Sequence, residues 1–128
     1  MQYGFSKNVS LPYDDAILKT TEELKKEGFG ILTEIDIKET LKKKLNVDFN
    51  KYKILGACNP PFAHKALEKE LELGLLLPCN IIVYEKDEKT FVSIFNPMVM
   101  TEIVENPEIK SIANGVEEKL LRVMNNIN

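Results

Sequence analysis

The chain has 128 residues, of which 44% are hydrophobic and 29% charged, and its net charge is −3. These values fit a single domain over residues 1–128, large enough to bury a hydrophobic core without disulfides or a structural metal. Arg122 is the only arginine against sixteen lysines, and arginine supplies the bidentate contacts that read phosphates and bases. The composition therefore disfavours nucleic acid as a partner.

No apolar run approaches the roughly eighteen residues that a membrane-spanning helix needs. The first residues also lack the basic start and the apolar stretch of a signal peptide. We therefore expect no membrane association and a cytoplasmic location. Thiols stay reduced in that compartment, so a structural disulfide is not expected.

The first half of the chain predicts three strands and two helices. Alternating polarity indicates a strand over residues 3–9, and Pro12 then opens an amphipathic helix that stops at Gly28. Residues 30–37 alternate again, which places the odd-numbered side chains on one face and the even-numbered ones on the other. Asp36 and Glu39 have capping-box spacing and open a short helix before a third strand at residues 52–58.

The second half begins with Asn59-Pro60, the pattern of a helix cap followed by proline at the first helical position. That helix is predicted to run to a stop at Gly74. Two strands follow, over residues 78–85 and 90–95, joined by a polar turn at residues 86–89. Asn106-Pro107 opens a last helix with a continuous apolar stripe.

The predicted order is thus β-α-β-α-β-α-β-β-α, ending in an antiparallel hairpin and a helix. This pattern indicates an α+β protein whose helices pack on one face of a mostly antiparallel sheet.

Four blocks in the chain are similar to one known family. They are Tyr3-Gly4-Phe5-Ser6, the stretch 27–36 (EGFGILTEID), the stretch 52–60 (YKILGACNP) and the stretch 74–80 (GLLLPCN). The chain resembles the family catalogued as domain of unknown function 302, in order and over nearly its whole length. The resemblance implies an α+β fold like the TATA-box-binding-protein topology and a homodimer. It supplies no established activity, and a fold name by itself implies no DNA binding.

Cys58 is the first candidate for chemistry. It ends a predicted strand directly before a helix N-terminus, where exposed amides and the helix dipole favour a thiolate. A free cysteine at the end of a strand is also a common small core residue. Both interpretations stay open at this point.

Cys79 and Asn80 begin the next predicted strand. If the third and fourth strands are antiparallel neighbours, Cys58 and Cys79 come close together; if they are parallel, the thiols lie at opposite ends of the sheet. Asn80 is unusual in an apolar strand and needs hydrogen-bond partners if it is buried. We expect its side chain either to hydrogen-bond to a neighbouring loop or to present its amide to a ligand. Asn59 is expected to cap its helix and is a further binding candidate.

The only histidine, His64, lies one turn into the third helix. With Cys58 and Cys79 it makes a candidate set for a soft metal ion such as zinc, and Glu34 is a possible fourth ligand. The residues lack the spacing of a known zinc motif, and a surface position for His64 is the competing interpretation. Glu34 also lies two positions from Asp36 on the same predicted face, and paired carboxylates can act as acid and base. Exposed acids on a solvated sheet face are common, however, and are the competing interpretation.

Three hypotheses follow. The preferred one is a homodimeric binding protein that holds a small ligand or soft metal near Cys58, Asn59, Cys79 and Asn80. The second is a thiol enzyme in which Cys58 is the nucleophilic or redox thiol and Cys79 its partner. The third is a structural domain in which a sheet face forms a dimer.

Overall fold

The computed structural model describes residues 1–128 and contains five strands and five helices. The strands are β1 (Gly4–Val9), β2 (Gly30–Asp36), β3 (Tyr52–Cys58), β4 (Cys79–Lys86) and β5 (Lys89–Phe95). The helices are α1 (Tyr13–Lys26), α2 (Ile37–Leu45), α3 (Pro60–Lys69), α4 (Met100–Ile103) and α5 (Pro107–Asn125). Short 3-10 segments occupy Leu71–Leu76 and Pro97–Val99.

The five strands form one sheet in the order β1-β5-β4-β3-β2, and all neighbouring strands are antiparallel. The predicted α+β class and the predicted order of elements are confirmed, with the short α4 added before the last helix. The finer resemblance to the TATA-box-binding-protein topology stays a prediction.

One face of the sheet carries the main hydrophobic core. Because side chains alternate along each strand, every second residue of β3, β4 and β5 points to the same side. These residues pack with the apolar faces of α1 and α5 into a cluster of 18 buried residues. The strand members of the cluster are Val9, Leu55, Ala57, Cys79, Ile81, Val83, Val92 and Ile94.

A smaller cluster of five buried residues lies apart from the main core. It joins α3, the Leu71–Leu76 segment, α4 and the first half of α5. Its members are Ala66, Leu73, Met100, Ile109 and Ala113.

We call the opposite face of the sheet the open face. Its side chains are all exposed or half-buried, and its only buried residue is a glycine. A ladder of rings crosses the open face: Tyr52 stacks on Tyr84 at a centroid distance of 5.5 Å, and Tyr84 stacks on Phe91 at 5.2 Å. Besides Lys86 and Lys89, which pair beside the β4–β5 turn, the strand register places twelve uncharged residues in the middle of this face. They are Ser6, Asn8, Thr33, Ile35, Tyr52, Ile54, Gly56, Asn80, Ile82, Tyr84, Phe91 and Ser93.

Two predictions of local structure are wrong. The register of β2 against β3 shifts between Ile31 and Thr33, so a bulge breaks the strict alternation and puts Glu34 on the same face as Ile31. In addition, α3 ends at Lys69 instead of continuing to Gly74, and the chain tightens into the 3-10 segment. Leucines recur along this stretch, which is why the sequence pattern reads as one longer helix.

Other local predictions are confirmed. The carboxylate of Asp36 accepts a hydrogen bond from the Glu39 amide at 3.0 Å, which caps α2. The predicted turn is a two-residue hairpin in which Asp87 and Glu88 both have positive φ, 53° and 64°. That pair of left-handed residues matches the twist of the flanking strands. No helix in the chain has both the length and the apolar character to cross a bilayer.

Candidate functional site

A cavity of about 300 Å³ lies where the main core and the smaller cluster meet. Its wall takes Phe29, Ala57, Cys79 and Val116 from the main core and Ala66, Leu73 and Met100 from the smaller cluster. The remaining lining residues come mostly from α3 and from the chain that leads into β4. The cavity is partly open to solvent, so a small molecule can reach it.

Cys58 and Cys79 are brought together at this cavity. Because β3 and β4 are antiparallel neighbours, the end of one strand meets the start of the other, and Ala57 pairs with Cys79. Both thiols are free; Cys58 is half-buried and Cys79 is buried, and both line the cavity. The geometric condition on which the site hypothesis depended is therefore met.

The Cys79 thiol is protonated at neutral pH. Burial raises its pKa to about 11, and the neighbouring Cys58 adds to the increase. A protonated, apolar thiol is a poor nucleophile and a poor metal ligand. Cys79 therefore contributes to the wall of the cavity as a small hydrophobic side chain.

Asn59 does not cap α3 through its side chain, contrary to the sequence-based expectation. It stands at the cap position, but its Nδ2 donates instead to the backbone oxygen of Glu27 at 3.1 Å. This bond ties the end of α1 to the β3–α3 junction, and Gly28, at φ 86°, leaves room for the amide. Asn59 is only 7% exposed and lines the cavity.

The start of α3 is also a weaker anion site than its position suggests. Pro60 and Pro61 occupy the first two helical positions and have no N–H to offer. The expected stabilisation of a Cys58 thiolate by exposed amides therefore loses two of its donors.

Asn80 and Glu34 lie outside the cavity. Asn80 follows Cys79 on the strand, so its side chain points to the open face, where it is exposed opposite Gly56. Glu34 is exposed on the edge strand β2, in a shallow depression beside Thr21.

The proposed metal set is not assembled. No group of three or more His, Cys, Asp and Glu side chains lies close enough together to hold a metal ion. His64 is 77% exposed on the outer side of α3, where it faces Glu68 at 3.5 Å. The helical spacing points it away from the cavity that Ala63 and Ala66 line.

Most of the cavity wall was not recognised in the sequence. Phe62 packs against α5 at Gly115, where a Cβ atom would come within 2.8 Å of the ring. Leu67 and Leu77 add apolar surface on the side of the smaller cluster. The sequence does contain one indication of this apolar surface. Residues 71–77 include five leucines, which are more than a single short segment can bury on one face.

Taken together, the fold and the cavity define a small α+β protein with a five-stranded antiparallel sheet and an apolar site at the β3–β4 strand ends. The chain belongs to the family described as "Domain of unknown function DUF302", whose model matches residues 5–127. A similar solved structure is that of an uncharacterized conserved protein DUF302 from Bacillus stearothermophilus. It is 29% identical, covers 100% of both chains and superimposes with a TM-score of 0.93. No curated protein matches the chain.

Proposed function

We propose that the protein binds a small molecule in the cavity between its two hydrophobic clusters. The observation that carries this proposal is the cavity itself, whose volume of about 300 Å³ lies within the range of known ligand pockets. Cores are normally close-packed, and voids larger than a water molecule are few. The proposal includes a cytoplasmic location, in which Cys58 and Cys79 remain free thiols.

The wall supports a binding role more than a catalytic one. In a thiol enzyme Cys58 would be the nucleophile and Cys79 its partner, but no base lines the cavity to activate Cys58, and burial keeps Cys79 protonated. The polar side chains in the wall are few, a composition typical of pockets that bind small apolar molecules. A binding function is therefore the preferred proposal, and a thiol-dependent enzyme is the second one.

A panel of compounds built on a naphthalene ring, with neutral, anionic and cationic members, tests the proposal. Each is added to the purified protein, and binding is read by calorimetry and by the shift of the unfolding temperature. A ligand at 100 times its Kd stabilises the folded state by about 2.7 kcal/mol. At least one member is expected to bind.

Two matched variants locate the binding. Ala63→Phe fills the cavity from α3 and is expected to abolish binding. His64→Phe places the same ring one position along, on the exposed outer side of the helix, and is expected to leave binding unchanged. Failure of the whole panel, or equal binding to Ala63→Phe, would overturn the proposal.

We further propose that two copies associate through the open face. Twelve neighbouring uncharged residues, with the Lys86–Lys89 pair only at the turn end of the face, are unusual in a chain that is 29% charged. Partners with phosphates require more cations than Lys86 and Lys89 supply, whereas a two-fold axis across the strands sets the uncharged middle of the face against itself and keeps the two lysine pairs at opposite ends. Burial raises the pKa of Tyr52 further above neutrality, with Tyr84 and Tyr3 adding to the increase, so this hydroxyl also stays uncharged.

The size of the face is adequate for a dimer. Five strands at about 4.8 Å spacing, six to eight residues long at about 3.3 Å each, cover about 500 Å² per copy. Two copies bury about 1,000 Å², the minimum for a biological interface and below the roughly 1,200 Å² at which stable interfaces begin. Sedimentation of the native protein is expected to show a dimer. The Ile82→Lys variant is expected to be monomeric, whereas Asn114→Lys, on the exposed side of α5, is expected to remain dimeric. A monomeric native protein would rule out this association.

A further inference from the structure

The wall of the cavity has no charged group. This property restricts the kind of ligand that can bind, in addition to the limit that the volume sets. None of the 17 lining residues is Lys, Arg, His, Asp or Glu. Placing a charge in such surroundings without a partner costs several kcal/mol. The part of a ligand that enters the cavity is therefore uncharged.

The volume sets the size of that part. An apolar cavity of about 150 Å³ lined by leucine, isoleucine and phenylalanine accepts one benzene molecule. The present cavity, at about 300 Å³, is twice as large and has a similar lining. It accommodates roughly ten to twelve non-hydrogen atoms by the same scale, which corresponds to two fused rings or a medium-length chain.

Asn59 supplies the one directional polar group. The residue as a whole is 7% exposed, and its Nδ2 donates to the Glu27 backbone oxygen. Its Oδ1 makes no hydrogen bond with the protein, and α3 does not use it as a cap. This oxygen stays accessible to solvent and has no donor in the protein, so it is available to accept a hydrogen bond from a ligand in the cavity.

We propose that the cavity binds a neutral, apolar molecule of about ten to twelve non-hydrogen atoms with one hydroxyl or N–H group, which donates to Asn59 Oδ1. This inference rests on the proposed binding function and names the chemical class of its ligand. Phenols, medium-chain alcohols and simple amides belong to this class. Carboxylates, phosphates and ammonium compounds do not.

Four probes of nearly equal size separate these properties: naphthol, naphthalene, naphthoate and naphthylmethylammonium. Binding of each to the full-length protein is measured by calorimetry at neutral pH. Naphthol is expected to bind best. Naphthalene lacks the donor and is expected to bind about 2- to 10-fold more weakly, the range of one neutral hydrogen bond. The two charged probes are expected to bind at least tenfold more weakly than naphthol.

An Asn59→Leu variant removes the acceptor and is expected to bind naphthol and naphthalene equally. That variant also loses the hydrogen bond to Glu27, so the ratio between the two probes in the native protein is the primary measurement. Equal affinity of naphthol and naphthalene there would overturn the role of Asn59. Tighter binding of naphthoate or of the ammonium probe would overturn the ligand class.

The outcomes also separate this inference from the function on which it rests. If a charged probe binds best and Ala63→Phe abolishes its binding, the cavity is a ligand site but the ligand class is wrong. If none of the four probes binds, both the proposed function and the ligand class are wrong.

Discussion

Thr20 offers a direct test of the packing described above. It lies in the middle of α1 and is fully buried, and its Oγ1 is the one buried side-chain oxygen or nitrogen without a hydrogen-bond partner. An unsatisfied buried hydroxyl costs about 1–3 kcal/mol. Valine has the same branched shape and nearly the same helix propensity as threonine, so Thr20→Val changes only the polarity of one atom position.

We expect Thr20→Val to raise the free energy of unfolding by about 1–2 kcal/mol. In a domain of this size that corresponds to roughly 3–5 °C in Tm per kcal/mol. Urea denaturation followed by circular dichroism measures the change.

Thr21→Val is the matched control, because the Thr21 hydroxyl donates to the Ile17 backbone oxygen at 2.9 Å. This variant is expected to be neutral or slightly destabilising. If Thr20→Val gives no more stability than Thr21→Val, the Thr20 hydroxyl is satisfied by an internal water and the reasoning is refuted.

Three further predictions concern single positions. A Cβ atom at Gly56 would come within 2.9 Å of Pro78 Cγ and overlap a side chain of β2, so Gly56→Ala should cost about 1–3 kcal/mol in urea denaturation; an unchanged midpoint would contradict this packing. Glu88 has φ 64°, so Glu88→Gly should stabilise the hairpin by about 1 kcal/mol in the same assay, and a loss of stability would count against the left-handed turn. Because burial raises the pKa of Cys79 to about 11 and a thiol reacts as the thiolate, iodoacetamide at pH 8 should label Cys58 first. Labelling of Cys79 should increase only as the pH rises toward 11, and equal rates in mass spectrometry at pH 8 would disprove its burial.

The order of elements could be predicted from the sequence because periodicity and caps agree with the fold along most of the chain. Asp36 and Asn106 cap their helices as their spacing indicates, with the Asn106 side chain accepting from the Glu108 amide at 3.0 Å. Asn59 has the same Asn-Pro pattern as Asn106 but uses its amide elsewhere. The difference arises from Glu27, which is 32 positions away in the chain and adjacent only in the folded state.

The location of the site was predictable in part, and its character was not. Two Cys-Asn blocks marked the β3–β4 strand ends, and Cys58, Asn59 and Cys79 do line the cavity. The apolar wall comes from residues as far apart as Phe29 and Val116, whose proximity depends on tertiary packing. Polar and soft residues attract attention in a sequence, whereas a void between apolar side chains has no local signature.

The separation of the two hydrophobic clusters has a consequence for how the molecule fluctuates. Stability varies within a protein, and units with few buried contacts open without global unfolding. The five-residue cluster around α3 is such a unit, and the cavity interrupts its packing against the 18-residue core. Amide hydrogens of α3 should therefore exchange faster than those of the central strand β4. A bound molecule that contacts both clusters would slow that exchange, so α3 amides would report occupancy while those of β4 change little.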